Sequence, residues 1–262
     1  MTGNQLINRI QTLCGLPAPE MTVDKMIDGD GEQEVKGVST SFIASVGALR
    51  QAADRGVNFF ITHEPTFYNH LDSLDELGFA SDPVVIAKQK LIADTGMMIY
   101  RFHDLTHRLR PDLIHQGVLE CLGWPAAERR EEIAVVQIPP TRLADLARVF
   151  RERTGGHAVR YVGNPDQICR QVALCVGSPG MSPQFVAMRL AEVDVMVIGE
   201  TSEWMVSEYV RDAASLGRGL GAVFAGHRNS EEAGMAWIAR WLSKGLGIDV
   251  QYIASGDPLR PA

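Results

Sequence analysis

Six short apolar runs, each about one buried strand long, recur along this chain and alternate with segments of helical period. They are VNFFIT (57–62), MMIYRF (97–102), IAVVQI (133–138), RQVALCVG (170–177), DVMVIG (194–199) and GAVFAG (221–226). Continuous apolar runs of this length, bounded by glycine, proline or charge, read as strands covered on both faces. Strands that alternate with helices pair in parallel, because only a crossover helix can carry the chain back to the starting edge. None of the runs approaches the roughly 20 residues that span a bilayer.

The helices between them carry their own punctuation. Residues 4–14 place Leu6, Ile7, Ile10, Leu13 and Cys14 on one face, and 43–55 stops at Gly56. Asp82-Pro83 starts a helix that closes at Gly96, and another covers 112–122 before Gly123. Thr141 is expected to cap a helix with Leu143, Leu146, Val149 and Phe150 inward. Ser182-Pro183 starts the next, followed by helices at 202–216 and 230–244. Further strands are expected at 35–40 and in IDVQYIA (248–254). Polar PAAERREE (125–132) reads as a linker, and the element order after it resembles that before it. The expected fold is therefore α/β, with two lobes of mixed or partly parallel sheet flanked by helices. The first lobe comprises 1–128 plus 227–262, the second 129–226.

Composition bounds the partners. At 262 residues and 45% hydrophobic content, the chain can bury a sizeable core. A net charge of −7, with both signs interspersed, argues against nucleic acid and membrane partners. Cys14, Cys121, Cys169 and Cys175 form no C-x-x-C pair, and MTGNQLINRIQTL has no secretory character, so a reducing, cytoplasmic location is expected.

Ligand sites in such folds form where loops leave the carboxyl ends of strands. Three ends here are richly polar: VNFFIT runs into His63-Glu64-Pro65, MMIYRF into His103-Asp104-Leu105-Thr106-His107, and GAVFAG into His227-Arg228-Asn229-Ser230-Glu231-Glu232. With His70, these segments hold five of the seven histidines. One histidine at a strand end is ordinarily a structural hydrogen-bonder. Three clusters of imidazole with carboxylate suit a divalent cation such as zinc, iron or manganese, which offsets their repulsion and desolvation. His63 and Glu64, adjacent in a loop, can diverge toward two neighbouring ions. His103 and His107 align only if their segment is helical, and a helix starting near Ser230 would put Glu231 in its first turn. His115 and His157 read as surface residues. The GSPG segment (177–180) suits a tight turn or a phosphate approach, and Thr66 and Tyr68 suit loop packing. The chain contains no P-loop, dinucleotide fingerprint or G-x-S-x-G element.

The segments THEPTFY, YRFHDLTH, VIGE and AGHRNSEEAG resemble the family named for an NGG-interacting factor, also called GTP cyclohydrolase type 2 homologues. That resemblance implies a dinuclear metal centre in a cleft between lobes, and a toroidal homohexamer. Two family positions are exchanged here: Glu64 stands where a second histidine is usual, and His107 where an aspartate is usual. The ligand count is thereby kept. The resemblance implies metal ligation by His63, Glu64, His107, His227 and Glu231, with Asp104 an alternative to His107. His103, Asp104 and Glu200 are then the acid/base or orienting groups. Two divalent ions so held suit hydrolysis of a small substrate, with a nucleotide-like, cyclohydrolase-type molecule as one class. The alternative is a non-catalytic metal-binding scaffold or regulatory protein.

Overall fold

The computed structural model describes residues 1–17 and 19–261, with all their side chains except those of Glu76 and Leu77. Two compact units are formed: one from Met1–His115 and Gly234–Gly256, the other from Gln116–Ala233 together with the residues from 257 onward.

The first unit begins with α1 (Gly3–Cys14), capped by Thr2 and Gln5 in a reciprocal capping box and closed by left-handed Gly15. Its sheet contains β1 (Met26–Asp28), β2 (Val38–Ser41), β3 (Phe59–Thr62), β4 (Met98–Arg101) and β11 (Val250–Tyr252), in the order β1-β4-β3-β2-β11. All pairings are parallel except β1 with β4. The crossovers are α2 (Val46–Asp54), started by the Ser45 side chain, and α3 (Pro83–Thr95), started by Asp82 and ended at left-handed Gly96. β2, β3 and β4 are buried at every position, as a doubly covered parallel sheet requires. Ala48, Leu49, Phe60, Val85, Ile92 and Ile99 belong to one core cluster, each large side chain stabilising the fold by roughly 1.5–3 kcal/mol.

The second unit holds β5 (Glu128–Arg130), β6 (Ile133–Arg142), β7 (Arg160–Val162), β8 (Ile168–Cys175), β9 (Val195–Ile198) and β10 (Gly221–Phe224), ordered β5-β6-β8-β9-β10-β7. Its centre, β8-β9-β10, is parallel, and the outer pairings are antiparallel. Helices α6 (Leu143–Thr154), α7 (Met181–Arg189) and α8 (Glu203–Ser215) accompany this sheet. Its core cluster includes Ala173, Met188, Met196, Ile198, Val206 and Val210. Both sheets are mixed and flanked by helices, as the alternation of the sequence implies.

Several local expectations change. Glu128–Arg130, inside the expected linker, pair with Ile133–Val135 as an edge strand, although all three are exposed and leave no hydrophobic trace. Thr141 lies within β6 and its hydroxyl donates to the Pro139 carbonyl, so α6 starts from Arg142 without a side-chain cap. Helix α7 starts one residue before Ser182-Pro183, after Gly180. Helix α9 (His227–Leu246) begins at His227, three residues earlier than its hydrophobic period suggests. Residues 104–108 are helical (α4, Asp104–Arg108), and α5 (Leu113–Leu122) follows. Among the described residues, no helix is long and apolar enough to cross a membrane, and Cys14, Cys121, Cys169 and Cys175 are all free thiols.

Candidate metal centre

Parallel, in-register pairing builds the site in the first unit. β3 and β4 match residue for residue up to Thr62 opposite Arg101, so the chain leaves both strands at the same edge. His63 therefore stands beside Phe102, whose carbonyl lies 3.2 Å from His63 Nδ1. One residue later His103 precedes α4, and the helix brings His107 onto the same side, the i, i+4 relation that a loop would not give. The three imidazoles pack together. His63 stacks on His103 with centroids 4.6 Å apart, and His107 meets both rings edge-on at 5.1 and 5.0 Å. One ligand atom from each of His63, His103 and His107 lies within 4.8 Å of the others. The Glu64 carboxylate is 3.7 Å from His103 Nε2.

In each ring Nδ1 faces an acceptor. For His63 it is the Phe102 carbonyl, for His103 the Asp104 carboxylate at 2.9 Å, and for His107 the Asp112 carboxylate at 3.0 Å. Carbonyls and carboxylates only accept, so each neutral imidazole carries its proton on Nδ1 and presents Nε2 as a lone pair. His63 Nε2 and His107 Nε2 are 3.3 Å apart. Two acceptors at that distance repel unless a cation or proton stands between them. This donor set, imidazole nitrogens with outer acceptors and one carboxylate, fits a divalent transition metal.

The electrostatics agree. Burial, then the neighbouring His63 and His107, push the His103 pKa down to about 4, against the pull of Asp104 and Glu64. The ring is thus neutral at physiological pH, the form that ligates. Burial opposes ionisation of Asp112, yet its hydrogen bond with His107 and the nearby His115 bring its pKa down to about 2. His63 is fully buried, while the His103 and His107 side chains keep 23% and 30% exposure, so solvent reaches the outer two rings of the cluster.

Residues outside the motifs hold this arrangement. Asp24 is buried and accepts the backbone N–H groups of His103, Asp104 and Leu105 at 2.6–2.8 Å, capping α4 where no local side chain does. Asp104 divides its carboxylate between His103 Nδ1, the Thr22 hydroxyl and the Val23 N–H. Arg101, at the end of β4, donates to the carbonyls of His63 and His70 and lies 3.8 Å from Asp72. Lys88, only 2% exposed on α3, donates to the Thr66 carbonyl beneath the Tyr68 ring. Together they clamp the segment that follows His63, in which Tyr68 takes a positive φ of 67°.

The second unit repeats the principle. Phe224 pairs with Ile198 in parallel strands, so Gly199-Glu200 and Gly226-His227 leave at one edge. His227 Nδ1 is 3.0 Å from Glu200 Oε1, and its Nε2 is 3.1 Å from Glu231 Oε2. A neutral imidazole donates from one nitrogen only, so a second proton or a cation is required to satisfy both carboxylates. Glu231 reaches His227 because α9 already runs at His227, which makes the pair i, i+4. Gly177, with φ +65°, lies where any Cβ would fall on the Glu231 carboxylate, and its N–H donates to Ser230 Oγ at 2.9 Å. That bond occupies the first amide of the GSPG segment, which serves as a close-packed turn.

The eight residues assigned to the site in the sequence thus lie on segments that leave strand ends, with His107 and Glu231 one turn into the helices that follow. His63, Glu64, His103, Asp104 and His107 gather in the first unit, and Glu200, His227 and Glu231 in the second. His115, expected at the surface, is half-buried beside Asp112, whereas His157 is exposed. Sequence reasoning missed Asp24, Arg101 and Asp112. The first two lie far from the residues they serve and carry no local signal. Asp112 could have been found as an aspartate standing directly before a helix start.

A model of the Duf34/NIF3 (NGG1p interacting factor 3) family matches residues 1–258. No curated protein matches the chain. Among solved structures, the protein ybgI is similar with a TM-score of 0.77 at 22% identity, covering 99% of this chain and 100% of its own. Staphylococcus aureus protein SA1388 gives a TM-score of 0.76 at 16% identity, covering 100% and 99%. A Bacillus cereus protein related to NIF3 gives 0.77 at 14% identity, also covering 100% and 99%. At these identities the likeness speaks for the fold.

Proposed function

The chain belongs to the Duf34/NIF3 family, and we propose that it is a divalent-metal-binding protein that hydrolyses a small substrate. The observation that carries this reading is the convergence of His63, His103 and His107, each with Nδ1 against an acceptor, with Nε2 of His63 facing that of His107 and Nε2 of His103 toward Glu64. In this reading the three imidazoles and Glu64 hold one ion, and His227 and Glu231 are ligands for a second. Zinc, iron and manganese all accept such a donor set. Bound ions would supply Lewis acidity and lower the pKa of water.

The chain's own residues do the rest. His63, sealed from solvent, fixes the inner wall of the site, while the partly exposed His103 and His107 leave a side from which substrate enters. Asp104 holds the proton on His103 Nδ1, and Glu200, exposed beside His227, orients that imidazole through Oε1. A nucleotide-like, cyclohydrolase-type substrate is the proposal that follows from the resemblance of the motifs. A homohexamer and a cytoplasmic location complete the reading, the latter supported by four free thiols.

Elemental analysis of the purified protein after supplementation with zinc, manganese or iron tests the core claim. About two ions per chain are expected, and none after supplementation would end it. Metal-dependent turnover in a panel of nucleotides and cyclic amidines separates hydrolysis from a purely structural or regulatory centre, which would bind ions and turn over nothing. Light scattering tests the hexamer.

A further inference from the structure

Asp112 joins two structures with one carboxylate. It stands directly before α5, where Oδ1 accepts the backbone N–H of His115 at 3.0 Å in the first helical turn. Its Oδ2 lies 3.0 Å from His107 Nδ1 and 3.9 Å from His115 Nδ1. The side chain is only 14% exposed, so water competes weakly for either oxygen. An imidazole ligates through Nε2 only when the ring proton is on Nδ1, and both tautomers are accessible to a free histidine.

We propose that Asp112 is the positioning residue that makes His107 a ligand, fixing its proton on Nδ1 and tying that choice to the start of α5. Because Oδ1 is held by the helix, Oδ2 cannot swing away from His107 without loosening the cap. The proton on His107 and the first turn of α5 therefore become one cooperative unit. The consequence for metal affinity rests on the proposed metal-binding function, whereas the tautomer itself does not.

Asp112→Asn isolates the effect. Asparagine caps helices as well as aspartate does, so its oxygen keeps the His115 N–H. Its amide then faces His107 Nδ1 as a donor, which places the ring proton on Nε2, pointing at the other imidazoles. The full-length, metal-free protein with 15N-labelled imidazoles reports the tautomer directly. Wild type should show His107 protonated on Nδ1, and Asp112→Asn on Nε2, with a thermal midpoint close to wild type. Zinc affinity, measured by chelator competition, should fall roughly 10- to 100-fold in the variant. An unchanged tautomer in Asp112→Asn, or affinity within twofold of wild type where wild type binds zinc, would overturn the proposal. Should wild type bind no zinc, the metal-binding function falls, and the tautomer alone decides the role of Asp112. If Asp112→Asn does not fold, Asp112→Ser keeps a capping oxygen without reach to His107. That variant should show mixed tautomers, and a pure Nδ1–H ring would refute the assignment.

Discussion

His63 and His107 meet nitrogen to nitrogen, their Nε2 atoms 3.3 Å apart, while the Nδ1 of each points outward to an acceptor. One ring comes from the end of a parallel strand and the other from the last turn of a five-residue helix. Their approach brings two lone pairs together in a place where His63 has no exposure to water. A cation placed between them would replace that repulsion with coordination to both.

The first prediction concerns His63. It is the inner member of the triad, and its ring packs against both other imidazoles. His63→Ala should abolish tight binding in the first-unit cluster, lowering metal content by about one ion per chain. It also leaves a cavity behind a fully buried ring, at a cost of a few kcal/mol. Metal stoichiometry by mass spectrometry and urea denaturation read the two effects separately. Stoichiometry equal to wild type would remove His63 from the ligand set.

Asp24 should matter as much as a ligand without being one. Its two oxygens accept three backbone amides at the start of α4, the helix that aligns His103 with His107. Asp24→Ala leaves those amides without their acceptor, and roughly 1–3 kcal/mol of stability should be lost. Amide exchange at Asp104 and Leu105 should quicken, and zinc affinity should fall with it. Slow exchange in the variant would show that α4 stands by itself.

The division between what the sequence reveals and what it hides follows the range of the forces. Phe59–Ile61 and Val195–Ile198 are buried on both faces, so their apolar runs are visible in any window. The strand-end clusters were legible for the same reason, because a buried run that stops at His63 or His227 marks its own end. The pairing of His103 with His107 was not, since five residues are too few for a hydrophobic period and the helix depends on Asp24, about 80 residues away. Edge strand Glu128–Arg130 is likewise placed by its backbone pairing with Ile133–Val135, which leaves no apolar pattern in the sequence. The early start of α9 has the same origin: its first turn is polar, with Ser230 bonded to Gly177 and Asn229 to Asp257.

Gly177 offers a test confined to the second unit. A Cβ there would collide with the Glu231 carboxylate, and φ of +65° strains any L-residue. Gly177→Ala should push Glu231 away from His227 and destabilise the protein by about 1–3 kcal/mol. Loss of the second ion with retention of the first is the expected metal content. A variant as stable as wild type, with both ions retained, would show that the turn moves freely.

Lys88 gives the fold a pH dependence of its own. Burial lowers its pKa from 10.5 to about 8, against the attraction of Asp72, while its ammonium donates to the Thr66 carbonyl and lies 4.9 Å from the Tyr68 ring centroid. Between pH 8 and 10.5 the unfolded chain holds this proton and the folded chain has released it. Stability supplied through Lys88 therefore rises with pH across that window and is at its lowest below pH 8. The slope approaches about 1.4 kcal/mol per pH unit, for an upper bound of about 3.5 kcal/mol. Lys88→Met has no such proton. The difference in unfolding free energy, wild type minus Lys88→Met, should climb as pH increases from 8 to 10.5. Urea titrations at half-unit pH intervals measure it, and a flat difference across that range would show that Lys88 titrates as an ordinary surface lysine.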